Sequence, residues 1–433
     1  MYFVAGHNYI SPQETLSSLK RRGDHGRLTQ NYGWVYYPVV NSMRKIDLTN
    51  LQAASSETAR DINRRILLNL IRSRQPLSRA DLARSSGLQR STVSAIVDQL
   101  IREGWVVEGL RGRLPRGRRP IHLRLNVKRA IIGVDIRPVR TIIATADINA
   151  HFDSQEILST PSDPKRAVKQ LAVRLQQLIR SRPGISFEGI GISLPGRIDL
   201  QSKKLCFAPN LHWRNFDLGT PLTRATGLEV ELENAANACA LAEVWFGPND
   251  STRDLVVVTV SEGIGTGLFM NGQLVRGPDG MAGEFGHTTL EVDGPLCGCG
   301  NRGCWEMLAS NRAAIRYYSQ AGETSSDPSI LELLALAEQG NVRAAKALDT
   351  QALYLGRGLR MLAAGLAPAA IVIVGEITQA WHRFGPAIEK EVIAYALPGK
   401  IPRIQPAHDG ETARLRGTVA LVLQKHFAAS SFL

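Results

Sequence analysis

Cysteine is scarce in this chain, five residues in 433, and aromatic side chains make up only 6% of it. No uncharged apolar run reaches the roughly 20 residues that cross a bilayer, so a membrane-spanning helix is not expected. No basic start followed by an apolar stretch and a small-residue cleavage site opens the sequence either, and the cytoplasm is the expected compartment. At 433 residues with 44% apolar side chains, the chain is long enough for two or three separate cores.

Acidic residues are also in deficit, 39 Asp and Glu against 52 Lys and Arg, and the imbalance is local. Residues 43–127 carry 17 Lys and Arg against 7 Asp and Glu, a net of +10 out of +13 for the whole chain. A folded block with that excess has the electrostatic footprint of a nucleic-acid-binding module. Residues 1–42 lack any sustained period and are expected to form a poorly ordered extension.

Within the basic block the periodicity predicts a helix over residues 59–74, with Ile62, Ile66, Leu67, Leu70 and Ile71 on one face. Pro76 stops it, and Ser78 with Asp81 three residues on marks the start of a second helix running to about Ser85. Gly87 supplies the turn, and residues 91–103 form a third helix with Val93, Ile96, Val97, Leu100 and Ile101 inward. Two strands, 105–108 and 121–125, flank a loop reading RGRLPRGRRP. Helix, turn, helix and a two-stranded wing define a winged helix-turn-helix over residues 43–127. Its third helix would offer Gln89, Arg90, Ser91, Thr92 and Ser94 to base edges and phosphates. Arg116, Arg118 and Arg119 on the wing suit a narrow minor groove.

From residue 128 to 433 the pattern changes to alternating strands and helices, an α/β domain. Strands are predicted at 130–135, 140–147, 189–192, 255–260 and 371–374. Helices are predicted at 166–181, with Ala167, Leu171, Val173, Leu175 and Leu178 inward, and at 237–246, 329–337 and 344–365. No internal repeat is evident. Cys206 and Cys239 stand alone and read as buried small hydrophobes. The other three cysteines cluster: His287, Cys297, Cys299 and Cys304 satisfy one tetrahedral zinc ion per chain, leaving no position for a catalytic water, so the site is structural. Glycines 298, 300 and 303 let that loop fold tightly.

The stretch GEFGHTTLEVDGPLCGCGNRGCWE at residues 283–306 resembles the signature of the ROK family, which joins bacterial repressors and sugar kinases. GISLPGRID (191–199), APNLHW (208–213), ENAANACALAE (233–243), EGIGTGLFMNGQLVRG (262–277) and LAPAAIVIVGEI (366–377) support it, and the N-terminal module is similar to that of the family's repressors. The resemblance implies an actin-like (ribonuclease H-like) fold of two lobes with a sugar in the cleft. It places sugar contacts at Asn234, Glu284, His287 and Glu306, with Asn210 as a further one. These side chains suit the task, because carboxylates and amides form paired hydrogen bonds with vicinal hydroxyls.

The departures from that pattern concern phosphoryl transfer. Where the family's kinases carry a general-base Asp, this chain has Ala235, which cannot accept a proton. The first phosphate loop reads Asp135-Ile136-Arg137-Pro138-Val139 in place of a glycine-rich turn, and Pro138 has no N–H to offer. Ser261-Glu262 puts a carboxylate in the second phosphate loop, and Val374-Gly375-Glu376-Ile377 replaces a third glycine-rich run. No catalytic residue is therefore expected. The expectation is a transcriptional repressor of carbohydrate genes that binds double-stranded operator DNA as a homodimer or homotetramer and answers to a small sugar or sugar phosphate. Two other readings stay open: an active sugar kinase carrying a DNA-binding module, and a repressor controlled by a transport-protein partner.

Overall fold

The computed structural model describes residues 56–111, 120–199, 202–248, 252–322, 327–394, 401–410 and 412–427. Arg60–Leu433 forms one compact unit. The described elements begin with α1 (Ser56–Arg74), β1 (Leu77–Ser78), α2 (Arg79–Ser86), α3 (Arg90–Arg102), β2 (Val106–Arg111) and β3 (Ile121–Leu125). Ser78 and Asp81 close a reciprocal capping box at the start of α2, and Gly87 ends it at φ +72°, a conformation that glycine adopts without a Cβ penalty. β1 and β2 both pair antiparallel with β3. Leu67, Leu68, Ile71, Leu82, Val93, Ile96, Val97 and Leu100 fill the core of this module.

Three predicted core positions are exposed. Ile62 and Ile66 are 36% and 42% exposed, because α1 turns Leu67, Leu68 and Ile71 inward instead. Val173 is 46% exposed, two residues from both Leu171 and Leu175 and so on the far face from the Ala167–Leu171–Leu175 stripe. Cys239 is buried as expected, whereas Cys206 is only half-buried.

The rest of the chain builds two sheets. The first lobe contains β4 (Arg129–Ile136), β5 (Arg140–Asp147), β6 (Phe152–Ser159), α4 (Pro164–Arg180), β7 (Ser186–Leu194), a small sheet of β8 (Arg197–Asp199), β9 (Lys204–Ala208) and β10 (Trp213–Phe216), then α5 (Gly219–Thr226) and β11 (Val230–Asn234), after which α6 (Ala235–Phe246) crosses to pack on the second sheet. The second contains β12 (Leu255–Val260), β13 (Ile264–Met270), β14 (Gln273–Val275), α7 (Trp305–Ala309), α8 (Asn311–Gln320), α9 (Ile330–Glu338), α10 (Val342–Leu366), β15 (Ala370–Gly375), α11 (Trp381–Ile393) and β16 (Arg403–Pro406). The chain closes with α12 (Ala413–Phe427).

The main sheet of the first lobe runs β11-β7-β4-β5-β6 and that of the second β14-β13-β12-β15-β16. Each is an antiparallel three-strand meander whose first strand pairs in parallel with the next main-sheet strand. Read from the other end, the second sheet repeats the first. The fold is thus duplicated in topology, although the residues show no repeat.

Helices α6 and α12 pack together without a side-chain cushion. A Cβ on Gly417 would overlap the carbonyl of Ala238, and Thr418 fills the space over Gly133 and Gly191 of the first sheet. The core of the DNA-binding module runs without a break into Ile131, Ala146 and Ile148 of the first lobe and Val419, Val422, Leu423 and Phe427 of α12. Replacing Gly417 with Ala forces these backbones apart, an overpacking cost of about 1–3 kcal/mol. A lower urea midpoint measures it, and an unchanged midpoint contradicts the close approach.

Candidate functional site

The third helix of the DNA-binding module presents its N-terminus outward. Gln89, Arg90 and Ser91 are exposed, whereas Thr92 and Ser94 are half-buried. Gln89 occupies the N-cap position with no side-chain capping bond, which leaves its amide free. The exposed face continues through Ala95 and Asp98, neither of which was apparent from sequence. Asp98 holds Arg79 at 2.8 Å, and Glu108 of β2 takes the same guanidinium at 3.1 Å, so the two helices of the motif and the wing strand are pinned together. Arg116, Arg118 and Arg119 lie outside the described residues.

In the first lobe, β11 delivers Asn234 to the mouth of α6. The side chain caps that helix, accepting from the N–H of Ala236 at 2.8 Å, and donates to the carbonyl of Gly196 at 2.9 Å. Glu233, buried beside it, accepts from Arg276 at 2.8 Å and from Asn237 at 3.0 Å. Asn210 sits half-buried in the turn Pro209–Leu211, and no hydrogen bond joins it to the other predicted sugar contacts among the described residues.

The second lobe brings Glu284, His287 and Glu306 together. A short turn over Glu284–His287 sets Glu284 Oε2 3.6 Å from His287 Nε2, and Glu306, in the first turn of α7, sets Oε1 3.5 Å from His287 Nδ1. The other oxygen of Glu306 lies over Gly263, where a Cβ would come within 2.6 Å of it. Burial raises the Glu284 carboxyl above its usual range against the opposing effect of His287. Arg197, across the cleft on β8, is among the charges that act on Glu284, and its spacing from Glu284 in the chain gave no hint of this.

His287, Cys297, Cys299 and Cys304 offer ligand atoms that all lie within 4.8 Å of one another. Cys299 Sγ and Cys304 Sγ are 3.6 Å apart, and Cys297 Sγ is 3.5 Å from His287 Nδ1. A tetrahedral ion with Zn–S bonds of about 2.3 Å sets its sulfurs about 3.8 Å apart, so the donor set has the spacing of one metal site. Nδ1 thus faces the thiols while Nε2 faces Glu284. Burial pushes the Cys297 and Cys304 thiols up, and a cation is what would hold them as thiolates. Gly300 and Gly303 take φ of +97° and +59°; Gly298 does not have a positive φ, so only two of the three glycines are required by the turn.

The segments that the resemblance sets against phosphate loops, at 135–139, 261–262 and 374–377, are joined by this chain's own side chains. Arg137 donates to Asp135 at 2.6 Å at the end of β4. Asn311 donates from its backbone to the carbonyl of Ser261 and from its side chain to Glu376, both at 2.8 Å. Ala235 is buried at the first position of α6. A cavity of about 200 Å³ bounded by Ile198, Lys203, Glu231, Glu233 and Arg276 includes none of the five predicted sugar contacts.

Residues 131–425 match the ROK family and residues 60–107 match a winged helix-turn-helix DNA-binding family. The chain belongs to the ROK family and carries a DNA-binding module in front of it. The xylose repressor of Bacillus subtilis (strain 168) is 32% identical over 384 residues, which is 87% of this chain and 98% of that protein. A crystal structure of a ROK family transcriptional regulator, a homologue of the Escherichia coli MLC protein, shares the fold with a TM-score of 0.75 at 24% identity, over 86% of this chain and 98% of that one. A ROK family glucokinase from Streptomyces griseus, solved with glucose and AMPPNP, gives a TM-score of 0.62 at 28% identity, over 68% of this chain and 99% of that one.

Asn234 is a helix cap in its own right, so Asn234→Ala costs about 0.5–2 kcal/mol of stability and leaves the Gly196 carbonyl without its donor. A thermal melt unchanged by the substitution removes that role.

Proposed function

We propose that this protein is a sugar-responsive transcriptional repressor whose kinase-type domain senses a small sugar or sugar phosphate and does not transfer phosphate. The carrying observation is an asymmetry between two parts of one cleft. Glu284, His287 and Glu306 converge beside the thiol cluster, and Asn234 is held in the first lobe by the Gly196 carbonyl. The segments set against phosphate loops meanwhile hold Asp135, Glu262 and Glu376 with the arginines Arg137 and Arg414 among them in place of a glycine-rich cradle, and Ala235 offers no base. Sugar hydroxyls would pair with the carboxylates of Glu284 and Glu306, the amide of Asn234 and the Nε2 of His287, with Asn210 closing the site.

Zinc is the metal that best suits one imidazole and three thiols, and it would hold Nδ1 of His287, so that Nε2 keeps its direction and the turn bearing Glu306 stays fixed. The DNA-binding module, residues 43–127, would engage double-stranded operator DNA through Gln89, Arg90, Ser91, Thr92 and Ser94, with Arg116, Arg118 and Arg119 adding wing contacts. Paired modules in a homodimer or homotetramer would match a two-fold operator. Residues 128–433 form the sensing domain, and residues 1–42 precede both. A cytoplasmic location agrees with these partners, and no helix among the described residues is long and apolar enough to cross a membrane.

Fluorescence anisotropy on a duplex from the gene's upstream region tests this, with D-xylose, D-glucose, N-acetyl-D-glucosamine and their phosphates as effectors. One of them should change affinity about 5- to 150-fold, a coupling of about 1–3 kcal/mol. A panel that leaves affinity unchanged contradicts the reading. Elemental analysis should find one zinc per chain and none after Cys304→Ala, and a full equivalent retained by that variant overturns the site. Replacing Arg116, Arg118 and Arg119 together should flatten the slope of log affinity against log salt by up to about 3, one per lost phosphate contact. An unchanged slope excludes the wing.

A further inference from the structure

The charges in the former phosphate region come from both lobes. Asp135 and Arg137 close β4 and Arg414 opens α12 on one side, whereas Glu262 and Glu376 follow β12 and β15 on the other. Arg414 reaches across, its Nη2 donating to Ser261 Oγ at 3.5 Å. Burial works against that guanidinium, but the carboxylates of Asp135, Glu262 and Glu376 act on it with opposite sign and its pKa is raised. One oxygen of Asp135 is taken by Arg137, and the other is fully buried with no donor. On the receiving side Asn311 braces both Ser261 and Glu376.

The far end of α12 lies in the DNA-binding module. At a rise of about 1.5 Å per residue, Phe427 stands about 20 Å from Arg414. The His426 ring lies 4.5 Å from that of Trp105, and Phe427 meets Trp105 and Trp245 edge-on at 5.8 and 5.9 Å. Asn69 of α1 donates to the Phe427 carbonyl at 2.7 Å, and Arg72 donates to the Trp245 carbonyl at the end of α6 at the same distance. Between these ends α12 touches the first sheet and α6 at backbone distance, so it cannot bend independently of either.

We propose that Arg414 is a positioning residue: beside the α6–α12 contact it adds a second tie, from the start of α12 to the Ser261–Gly263 turn of the second lobe, and α12 carries relative movement of the lobes to the seat of the DNA-binding module. Its use as a signal rests on the sensor reading above, but the tie itself requires no ligand.

Amide hydrogen exchange on the ligand-free full-length chain tests it with Arg414→Ala, Arg414→Lys and the double variant Glu262→Gln/Glu376→Gln. Arg414→Ala should speed exchange about 10-fold at Ser261–Gly263 and also at Trp105–Glu108, while amides in the middle of α10 stay as in the wild type. Arg414→Lys should restore most of the protection, and the double glutamine variant should reproduce the alanine pattern from the opposite lobe, which keeps the test valid should Arg414→Ala fail to fold. Acceleration confined to Ser261–Gly263 overturns the lever, and uniform acceleration that includes α10 reduces Arg414 to a fold-holding residue. A failed sensor reading would appear separately, as absence of any sugar effect on DNA affinity.

Discussion

Backbone-distance packing between α6 and α12 is the constraint on which the rest of this structure depends. Gly417 and the carbonyl of Ala238 leave no room for a Cβ, and Gly133 and Gly191 receive Thr418 in the same way. α6 starts at Asn234 in the cleft and ends at Trp245 and Phe246 beside the DNA-binding module; α12 starts at Arg414 between the lobes and ends at His426 and Phe427 in the same aromatic cluster. Because interiors packed this closely shift as units, whatever changes the cleft is felt at the base of the module. The continuous core that joins Trp105 and Leu125 to Ile131 and Val419 has the same consequence.

On the proposed reading the cleft has exchanged one electrostatic task for another. A kinase must present amides and a cation to a polyanion and keep a base ready for the attacking hydroxyl. This chain places Asp135, Glu262 and Glu376 there and neutralises them with Arg137 and Arg414. Glu284, His287 and Glu306 stand together on the other side, and Gly263 allows the Glu306 carboxylate to lie on the β12–β13 turn.

Much of this was legible in the residues. The capping box at Ser78, the turn at Gly87 and the strands at 121–125, 140–147 and 255–260 follow from local chemistry and period, and the structure has them where the pattern puts them. The thiol cluster was legible because its ligands are close in sequence. β6 was not, since Asp153, Ser154, Gln155 and Glu156 show no apolar alternation that marks an edge strand with one wet face. Ile62, Ile66 and Val173 were misplaced because hydrophobic spacing finds apolar positions but not which of them meet a neighbour. Arg197, Arg276 and Arg414 were invisible for a different reason: each acts on a carboxylate brought near by the fold, and an isolated arginine carries no signal of its partner. The capping role of Asn234 was likewise hidden, since it requires knowing that β11 stops one residue before α6 begins.

The central claim is that the cleft kept its sugar contacts and lost its capacity to handle nucleotide. Its most direct test is a coupled phosphorylation assay on the purified chain with MgATP and a panel of hexoses and pentoses. The account predicts no turnover above the ADP background with any sugar, including those that alter DNA affinity. Sugar-dependent ADP release that is abolished by Glu284→Ala would contradict it and make the chain an enzyme.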